Sequence, residues 1–86
     1  MYSLEFSNTA RKELTRVHQS DEKLFSRLSA AIESLRSDPY QGKKLKGEYY
    51  GDFSLRVGDY RIIYTIYKEK LIVYIIDLGH RKDIYR

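Results

Sequence analysis

The segment spanning residues 52–85 constrains the fold most, because it reads as three antiparallel strands with a basic, aromatic tail. The first two strands meet at Gly58-Asp59, and glycine tolerates the positive φ that a two-residue hairpin turn requires. This turn fixes the register of the hairpin, in which Val57 faces Tyr60. Pairing continues outward from the turn, so the face on which each side chain lies can be predicted.

The predicted hairpin has one apolar face and one polar face. The apolar face, which we expect to lie against the core, is formed by Leu55, Val57, Tyr60, Ile62, Tyr64 and Ile66. The polar face is formed by Ser54, Arg56, Arg61, Ile63 and Thr65. Arg56 and Arg61 lie directly opposite each other there, and their repulsion costs on the order of 0.2–1 kcal/mol. A polyanionic ligand would relieve that repulsion.

The N-terminal half predicts a short strand and two amphipathic helices. Residues 2–6 alternate as a strand does, and Ser7 or Asn8 can then cap a first helix. Ser20 is the predicted cap of the second helix. The second helix is expected to end immediately before Pro39, because proline disfavours helical backbone in the residue that precedes it.

Each predicted helix has one apolar face, so the helix pair needs a sheet to cover it. We therefore predict an α+β fold in which an N-terminal strand and an antiparallel two-helix hairpin pack on one face of a mainly antiparallel sheet. The chain has 86 residues, enough for one modest core. Residues 1–86 are expected to form a single domain.

A lysine-rich segment, residues 40–51, is predicted to be a loop that enters the sheet. It carries Lys43, Lys44 and Lys46 among glycines. These lysines can contact phosphates or can simply be solvated, and a charge run of this kind is compatible with both. Residues 68–70 are predicted to form the second hairpin turn.

The charge balance suits a polyanionic or acidic partner. Sixteen lysines and arginines against twelve aspartates and glutamates give a net charge of +4, and nine residues are tyrosine. Nucleic acid and an acidic protein fit this balance equally well.

Several classes of protein are excluded by what the sequence lacks. It has no cysteine, so neither a disulfide framework nor a thiolate site is possible. Two distant histidines and scattered carboxylates show no ligand spacing, so no metal is expected. The longest apolar run, residues 71–76, is too short to span a bilayer, and the N-terminus shows no signal-peptide pattern. We therefore expect a cytoplasmic protein with no membrane partner.

Two side chains are candidates for chemistry on a phosphate. The guanidinium of Arg61 presents a plane of N–H donors and a permanent charge, although an ordinary surface or ion-paired arginine is the competing interpretation. His80 belongs to residues 79–82, which are predicted to follow the last strand. Histidine titrates nearer to neutral pH than any other side chain, so His80 is the natural proton carrier, or else a polar residue packed at a strand end.

Two stretches of the chain, KKLKGEYYGDFSLRVGDYRIIYTI and VYIIDLGHRKDIY, are similar to the RelE/ParE superfamily of toxins from bacterial and archaeal toxin–antitoxin pairs. The most specific parts are the segment L-R-x-G-x-Y-R, which ends at Arg61, and the terminal H-R-x-x-x-Y, which begins at His80. The resemblance extends over nearly the whole chain. It implies that a cognate antitoxin is a partner of this chain.

A RelE-like member would be an endoribonuclease, an mRNA interferase that cuts mRNA in the ribosomal A site and so inhibits translation. The resemblance implies that this reaction needs neither a metal nor another cofactor. The 2′-hydroxyl attacks the adjacent phosphate and leaves a 2′,3′-cyclic phosphate or its opened product.

The motif positions of the superfamily suggest roles for residues of this chain. By this resemblance Arg61 would stabilise the charge that develops on the phosphate, and Arg81 would stabilise or protonate the leaving oxygen. Tyr85 would act as a base or stack on a nucleobase, and His80 would be a candidate for the proton transfer. The predicted RNA- and phosphate-binding residues are Arg56, Lys43, Lys44, Lys46 and Lys82.

The chain departs from the RelE pattern at two positions. RelE-like members often carry two lysines on the strand before the L-R segment, where this chain has Asp52 and Ser54. Lys44 and Lys46 are candidates to compensate from the preceding loop. A ParE-like poison of DNA gyrase, which needs no catalytic set, is the alternative function, and a degenerate member that only binds its antitoxin is a third.

The antitoxin is expected to bind the open polar face of the sheet. Ile63 and Tyr67 would offer it apolar contacts beside the arginines. Inhibition would then follow from shielding of Arg56, Arg61 and Arg81, or from displacement of Tyr85.

Overall fold

The computed structural model describes residues 1–80, which form a five-stranded sheet with two helices packed on one face. The strands are β1 (Ser3–Phe6), β2 (Lys43–Lys44), β3 (Phe53–Val57), β4 (Tyr60–Tyr67) and β5 (Ile72–His80). The helices are α1 (Asn8–Ser20) and α2 (Glu22–Ser34), and short 3₁₀ turns span Pro39–Gln41 and Gly47–Tyr49. The sheet order is β1-β5-β4-β3-β2, with β1 parallel to β5 and the other neighbouring pairs antiparallel. The predicted α+β fold is confirmed.

Ser7, one of the two predicted caps, is the residue that caps α1, and it also fixes the helix to the sheet. Its side-chain oxygen accepts the N–H of Ala10 at 3.0 Å and satisfies one of the free donors at the helix N-terminus. The same hydroxyl donates to the carbonyl of Ile76, and the N–H of Ser7 donates to the carbonyl of Ile75 at 2.9 Å. The start of α1 is therefore tied to β5.

Asp21, and not the predicted Ser20, caps α2. The N–H of Leu24 donates to the Asp21 carboxylate at 3.1 Å, while the N–H of Asp21 donates to the carbonyl of Val17 at 2.8 Å. One residue thus closes α1 and opens α2. This leaves Ser20 inside α1, as its last residue.

The end of α2 lies at Ser34, earlier than the predicted end before Pro39. The N–H groups of Leu35 and Arg36 donate to carbonyls three residues back instead of four. Such bonds tighten the last turn of a helix, and Leu35 becomes fully buried there. Within residues 1–80, no helix has the length and apolar character needed to cross a membrane.

The core lies between the helices and one face of the sheet. Its buried members are Ala10, Val17, Leu28, Ile32, Leu35, Phe53, Val57, Ile62, Tyr64, Val73, Ile75 and Leu78. The register of β3 and β4 is the predicted one, because Val57 pairs with Tyr60 and Arg56 with Arg61. Gly58 adopts a φ of +60° in the turn, as the two-residue hairpin requires.

Ile63 shows that the polar face is less open than predicted. It lies outside the main core cluster, yet it is 0% exposed. Ser54, its partner on β3, is 4% exposed. Of the two apolar residues expected to receive an antitoxin, Ile63 is therefore inaccessible in this state, whereas Tyr67 is 49% exposed. Alternation along a strand predicts the direction of a side chain but not what covers it.

The lysine-rich segment is more regular than the predicted loop. Lys43 and Lys44 form β2, an edge strand whose partners on β3 are Ser54 and Phe53. The N–H of Leu45 donates to the carbonyl of Asp52 at 2.9 Å, which extends the pairing of β2 with β3. A strand of two residues is too short to show a periodicity in the sequence.

The buried hydroxyl of Tyr64 holds the start of β2 against the sheet. It donates to the carbonyl of Pro39 at 2.7 Å and accepts the N–H of Gly42 at 3.1 Å. Burial raises the pKa of Tyr64 to about 12, against the opposing effect of the bond from Gly42. A β-carbon at Gly42 would clash with the Tyr64 hydroxyl and lie 2.9 Å from the carbonyl oxygen of Ser54. This close approach requires glycine.

The last strand is longer than predicted. Gly79 pairs with Arg61 and His80 pairs with Tyr60, so both residues belong to β5 rather than to a segment that follows it. The turn before β5 lies where it was predicted, and the N–H of Lys70 donates to the carbonyl at the end of β4 at 3.1 Å.

The Tyr64 hydroxyl yields a prediction about stability and its pH dependence. Tyr64→Phe should lower the free energy of unfolding by about 1–3 kcal/mol, because the carbonyl of Pro39 and the N–H of Gly42 lose a buried partner. The advantage of the wild type should be complete below pH 10 and shrink towards pH 12, since the hydroxyl ionises first in the unfolded chain. Urea unfolding of both proteins at neutral pH and near pH 11 measures this. A difference that is independent of pH would contradict it.

A second prediction concerns Leu71, which has a φ of +55° in the turn between β4 and β5. Branched side chains rarely adopt this conformation, whereas glycine adopts it without strain. Leu71→Gly should therefore raise the free energy of unfolding by about 1 kcal/mol, since the leucine is half-exposed and loses little burial. Lys68→Gly, in the same turn, is the control and should not stabilise the protein. Urea unfolding measures both variants. An equal decrease in the free energy of unfolding in the two variants would overturn the prediction.

Candidate phosphate-binding face

Arg61 and three lysines line one cleft on the sheet face away from the helices. The cleft has a volume of about 460 Å³, and its lining residues are Lys43, Lys44, Leu45, Lys46 and Arg61. β4 supplies Arg61, β2 supplies the first two lysines, and Lys46 follows β2 directly before a 3₁₀ turn. Guanidinium and ammonium groups are the side chains that bind phosphate most strongly. The structure thus brings together four predicted site residues that are scattered in the sequence.

A second cleft of about 410 Å³ adjoins the first and shares Arg61 and Lys43 with it. Ser54 and Arg56 of β3 also line it. Arg56 is exposed, and its Nε donates to the carbonyl of Gly58 at 3.2 Å, which keeps its guanidinium beside the hairpin turn. Arg56 therefore lies on the same face as Arg61 and the lysines.

Carboxylates do not line either cleft within the part of the chain that the structure describes. Asp77 lies on β5 opposite Ile63. Burial raises the pKa of Asp77 and repulsion by Glu13 adds to this, while the N–H of Leu78, 2.8 Å from the carboxylate, opposes it. Residues 1–80 also contain no cluster of three or more metal-ligating side chains. The clefts are thus suited to an anion rather than to a cation.

His80 lies on the other side of the sheet from this face. It pairs with Tyr60, whose ring it meets edge-on at a centroid distance of 6.1 Å. Together with Asp21, Arg27 and Asp59 it lines a separate cleft near the start of α2. The predicted proton carrier is therefore not brought together with Arg61, because Arg61 pairs with Gly79 and the side chain of the next residue, His80, points to the opposite face.

Three predicted site residues, Arg81, Lys82 and Tyr85, lie outside the described residues. The proposed roles of Arg81 and Tyr85 continue to rest on the H-R-x-x-x-Y resemblance, and phosphate binding by Lys82 stays a prediction.

The two departures from the RelE pattern have different surroundings. Ser54 pairs with Lys43, so an ammonium group lies across the strand from the position where a lysine is missing. Asp52 closes the loop before β3, because its N–H donates to the carbonyl of Tyr49 at 2.9 Å and its carbonyl accepts from Leu45. Sequence reasoning proposed Lys44 and Lys46 as substitutes and missed the pairing of Lys43, since that pairing depends on the short strand β2.

Comparison with known proteins identifies the family. Residues 4–85 match the family described as the ParE toxin of the type II toxin-antitoxin system parDE. The toxin RelG of Mycobacterium tuberculosis is 38% identical over 91 aligned positions, which cover 99% of this chain and 97% of RelG. The fold and these matches define a toxin of the RelE/ParE superfamily, so that resemblance is confirmed. Within the superfamily, the chain belongs to the ParE family of type II toxin–antitoxin toxins.

Solved structures show the same fold. The toxin–antitoxin complex RelBE2 of Mycobacterium tuberculosis contains a chain that is 33% identical, with a TM-score of 0.80 over 93% of this chain and 98% of that chain. The YoeB/ParE toxin of Agrobacterium tumefaciens gives a TM-score of 0.82 at 18% identity, again over 93% and 98% of the two chains. At the lower identity the likeness concerns the fold alone.

The opposed arginines yield a prediction about charge. Arg56→Thr should raise the free energy of unfolding of the free protein by about 0.2–1 kcal/mol at low ionic strength, because the repulsion with Arg61 is removed. Arg56→Lys keeps the charge and serves as the control. The gain should fall in high salt, where repulsion between exposed charges is screened. Urea unfolding in low and high salt tests this, and the same stability for both variants would contradict it.

Proposed function

We propose that this type II toxin is a ribosome-dependent mRNA endoribonuclease that acts in the cytoplasm and inhibits translation. The observation that carries the proposal is the clustering of Arg61 with Lys43, Lys44, Lys46 and Arg56 around two adjoining clefts. Such a face fits the phosphates of a single-stranded nucleic acid. The RelE-like resemblance of the L-R-x-G-x-Y-R segment supports RNA in the ribosomal A site as the substrate.

In the proposed reaction the 2′-hydroxyl of the mRNA attacks the neighbouring phosphorus. The bond from phosphorus to the 5′ oxygen breaks, the nucleophile gives up its proton, and the leaving oxygen receives one. The products are a 2′,3′-cyclic phosphate and a 5′-hydroxyl. Negative charge grows on the non-bridging oxygens during this step, and enzymes often gain most of their rate enhancement by stabilising such charge.

Arg61 is the residue that we assign to this charge. It is half-buried and lines both clefts, so it can contact a phosphate in either one. Its permanent charge and planar donors suit the oxygens of the transition state. The lysines and Arg56 would hold the flanking phosphates and set the register of the strand.

The proton transfers belong to the C-terminal residues in this proposal. By the superfamily resemblance, Arg81 assists the leaving oxygen and Tyr85 acts as the base or stacks on a nucleobase. Lys82 is proposed to contact phosphate because of its charge. His80 is the alternative proton carrier, although its side of the sheet does not favour it. The reaction needs no metal or other cofactor, because the charge stabilisation comes from the cationic side chains.

A cognate antitoxin is the proposed protein partner. The RelBE2 structure from Mycobacterium tuberculosis is a toxin–antitoxin complex, and its toxin-like chain shares 33% identity with this one. We propose that the antitoxin covers Arg56 and Arg61, or displaces Tyr85, and so blocks the clefts. Since Ile63 is buried, the exposed apolar contact on this face would come from Tyr67.

Poisoning of DNA gyrase is the second candidate function. Two observations favour it: the matching family is that of ParE toxins, and Asp52 and Ser54 replace the lysines of the RelE pattern. A protein that only binds its antitoxin is the third candidate. We place the nuclease first because the cationic face fits the phosphates of RNA, whereas a gyrase poison needs no catalytic set.

The proposal is tested by incubating the purified protein with mRNA on programmed ribosomes. The wild type should cut within the A-site codon, and Arg61→Ala should lower the rate by about 10²–10³-fold, the usual loss when one group that stabilises a developing oxyanion is removed. Primer extension or sequencing of the RNA ends gives both the position and the rate. Arg11→Ala, an exposed arginine of α1, is the charge-matched control.

Folding of each variant is checked by its thermal unfolding midpoint. No cleavage by a folded wild-type protein would overturn the nuclease assignment. Inhibition of supercoiling by gyrase would then establish the second candidate, and the absence of both activities would leave an antitoxin-binding protein.

A further inference from the structure

The hydroxyl of Ser54 is buried on the basic face and has no hydrogen-bond partner within residues 1–80. Ser54 is 4% exposed, and nearly all buried polar groups in proteins are hydrogen-bonded. An unpaired buried hydroxyl lowers the stability of the free protein. Such a group suggests a partner that the free chain does not supply.

Ser54 lines the second of the two basic clefts, together with Lys43, Arg56 and Arg61. Its backbone partner on β2 is Lys43, so a hydroxyl and an ammonium group sit on adjacent strands at the same level of the sheet. Residues directly opposite each other in an antiparallel pair have β-carbons about 5 Å apart. One anion can therefore contact both side chains.

Lys43 lines both clefts. The first is lined by the residues that follow Lys43 in the chain, up to Lys46, and the second by the two residues that precede it and by β3. Arg61 borders both. A single phosphate can contact the lining of one cleft, whereas successive phosphates of one strand can contact both.

We propose that Ser54 and Lys43 form a second phosphate subsite, next to the one at Lys44, Lys46 and Arg61, and that both bind one single-stranded polynucleotide. Rotation about the Cα–Cβ bond of Ser54 turns its hydroxyl towards the cleft, where it donates to a non-bridging phosphate oxygen. Lys43 supplies the positive charge of the subsite, and Ser54 supplies a hydrogen bond that orients the phosphate. The inference rests on the proposed function in so far as Arg61 contacts the same strand.

The test uses the full-length protein without ribosomes and a 2′-O-methyl hexaribonucleotide, which cannot be cut because it lacks the nucleophile. Fluorescence anisotropy gives its Kd at several salt concentrations. Ser54→Ala should weaken binding by roughly tenfold, the effect of one hydrogen bond to a charged group. The dependence of log Kd on log salt should stay the same, because no charge is removed.

Lys43→Ala should weaken binding and also lower the salt slope by about 0.7, the value for one phosphate contact of a single strand. Lys70→Ala, in the turn between β4 and β5, is the matched lysine control and should change neither quantity. The thermal midpoint of Ser54→Ala in buffer should not fall, since the substitution removes an unpaired buried hydroxyl.

Wild-type affinity in Ser54→Ala would overturn the subsite, and so would a loss of binding that is accompanied by a lower thermal midpoint. A reduced salt slope in Ser54→Ala would also contradict a role limited to hydrogen bonding. Because no ribosome and no cleavage are involved, absence of nuclease activity leaves this result unaffected. Equally, a negative result for the Ser54 subsite would leave the nuclease proposal intact, because the cleavage assay tests that proposal through Arg61.

Discussion

The hydrogen bonds of the Tyr64 hydroxyl are the interaction on which the basic face depends. The ring of Tyr64 lies in the core, stacked on Phe53 at a centroid distance of 5.5 Å, while its oxygen holds the chain at Pro39 and Gly42. Lys43 is the next residue, so a group inside the core sets the position of the first cation of the clefts. Packing and charge placement are thus coupled, because a change that loosens the core also moves the lysines.

The face away from the helices is arranged at some cost to the free protein. Arg56 and Arg61 oppose each other in the ladder, and the Ser54 hydroxyl is buried without a partner among the described residues. Both features are unfavourable alone, and both become favourable once an anion occupies the clefts. Proteins commonly break the local rules of stability at functional sites. The coincidence of two such features at one place is therefore the physical argument for a ligand there.

Hairpin register and face were predictable from sequence because Gly58 and the period-two alternation leave one solution. The features that were missed depend on information that is not local. Ser20 and Asp21 are both good caps, and the choice between them depends on how tightly two helices are joined. Ile63 points in the predicted direction, but its burial depends on what covers it. His80 belongs to β5 because Tyr60 of β4 pairs with it. The local sequence contains no feature that marks the end of β5 at this residue.

The loss of a lysine from β3 shows why function is better argued from space than from motif. Charges act on a phosphate according to distance, whichever strand they come from. Lys43 lies across the ladder from Ser54, so the ammonium that the RelE pattern places on one strand is available from its neighbour. No such exchange exists for Asp52, whose backbone closes the loop instead. The family match extends over residues 4–85, whereas the proposed reaction would depend on one face of the sheet. For that reason the cationic clefts carry more weight in the choice between nuclease and gyrase poison.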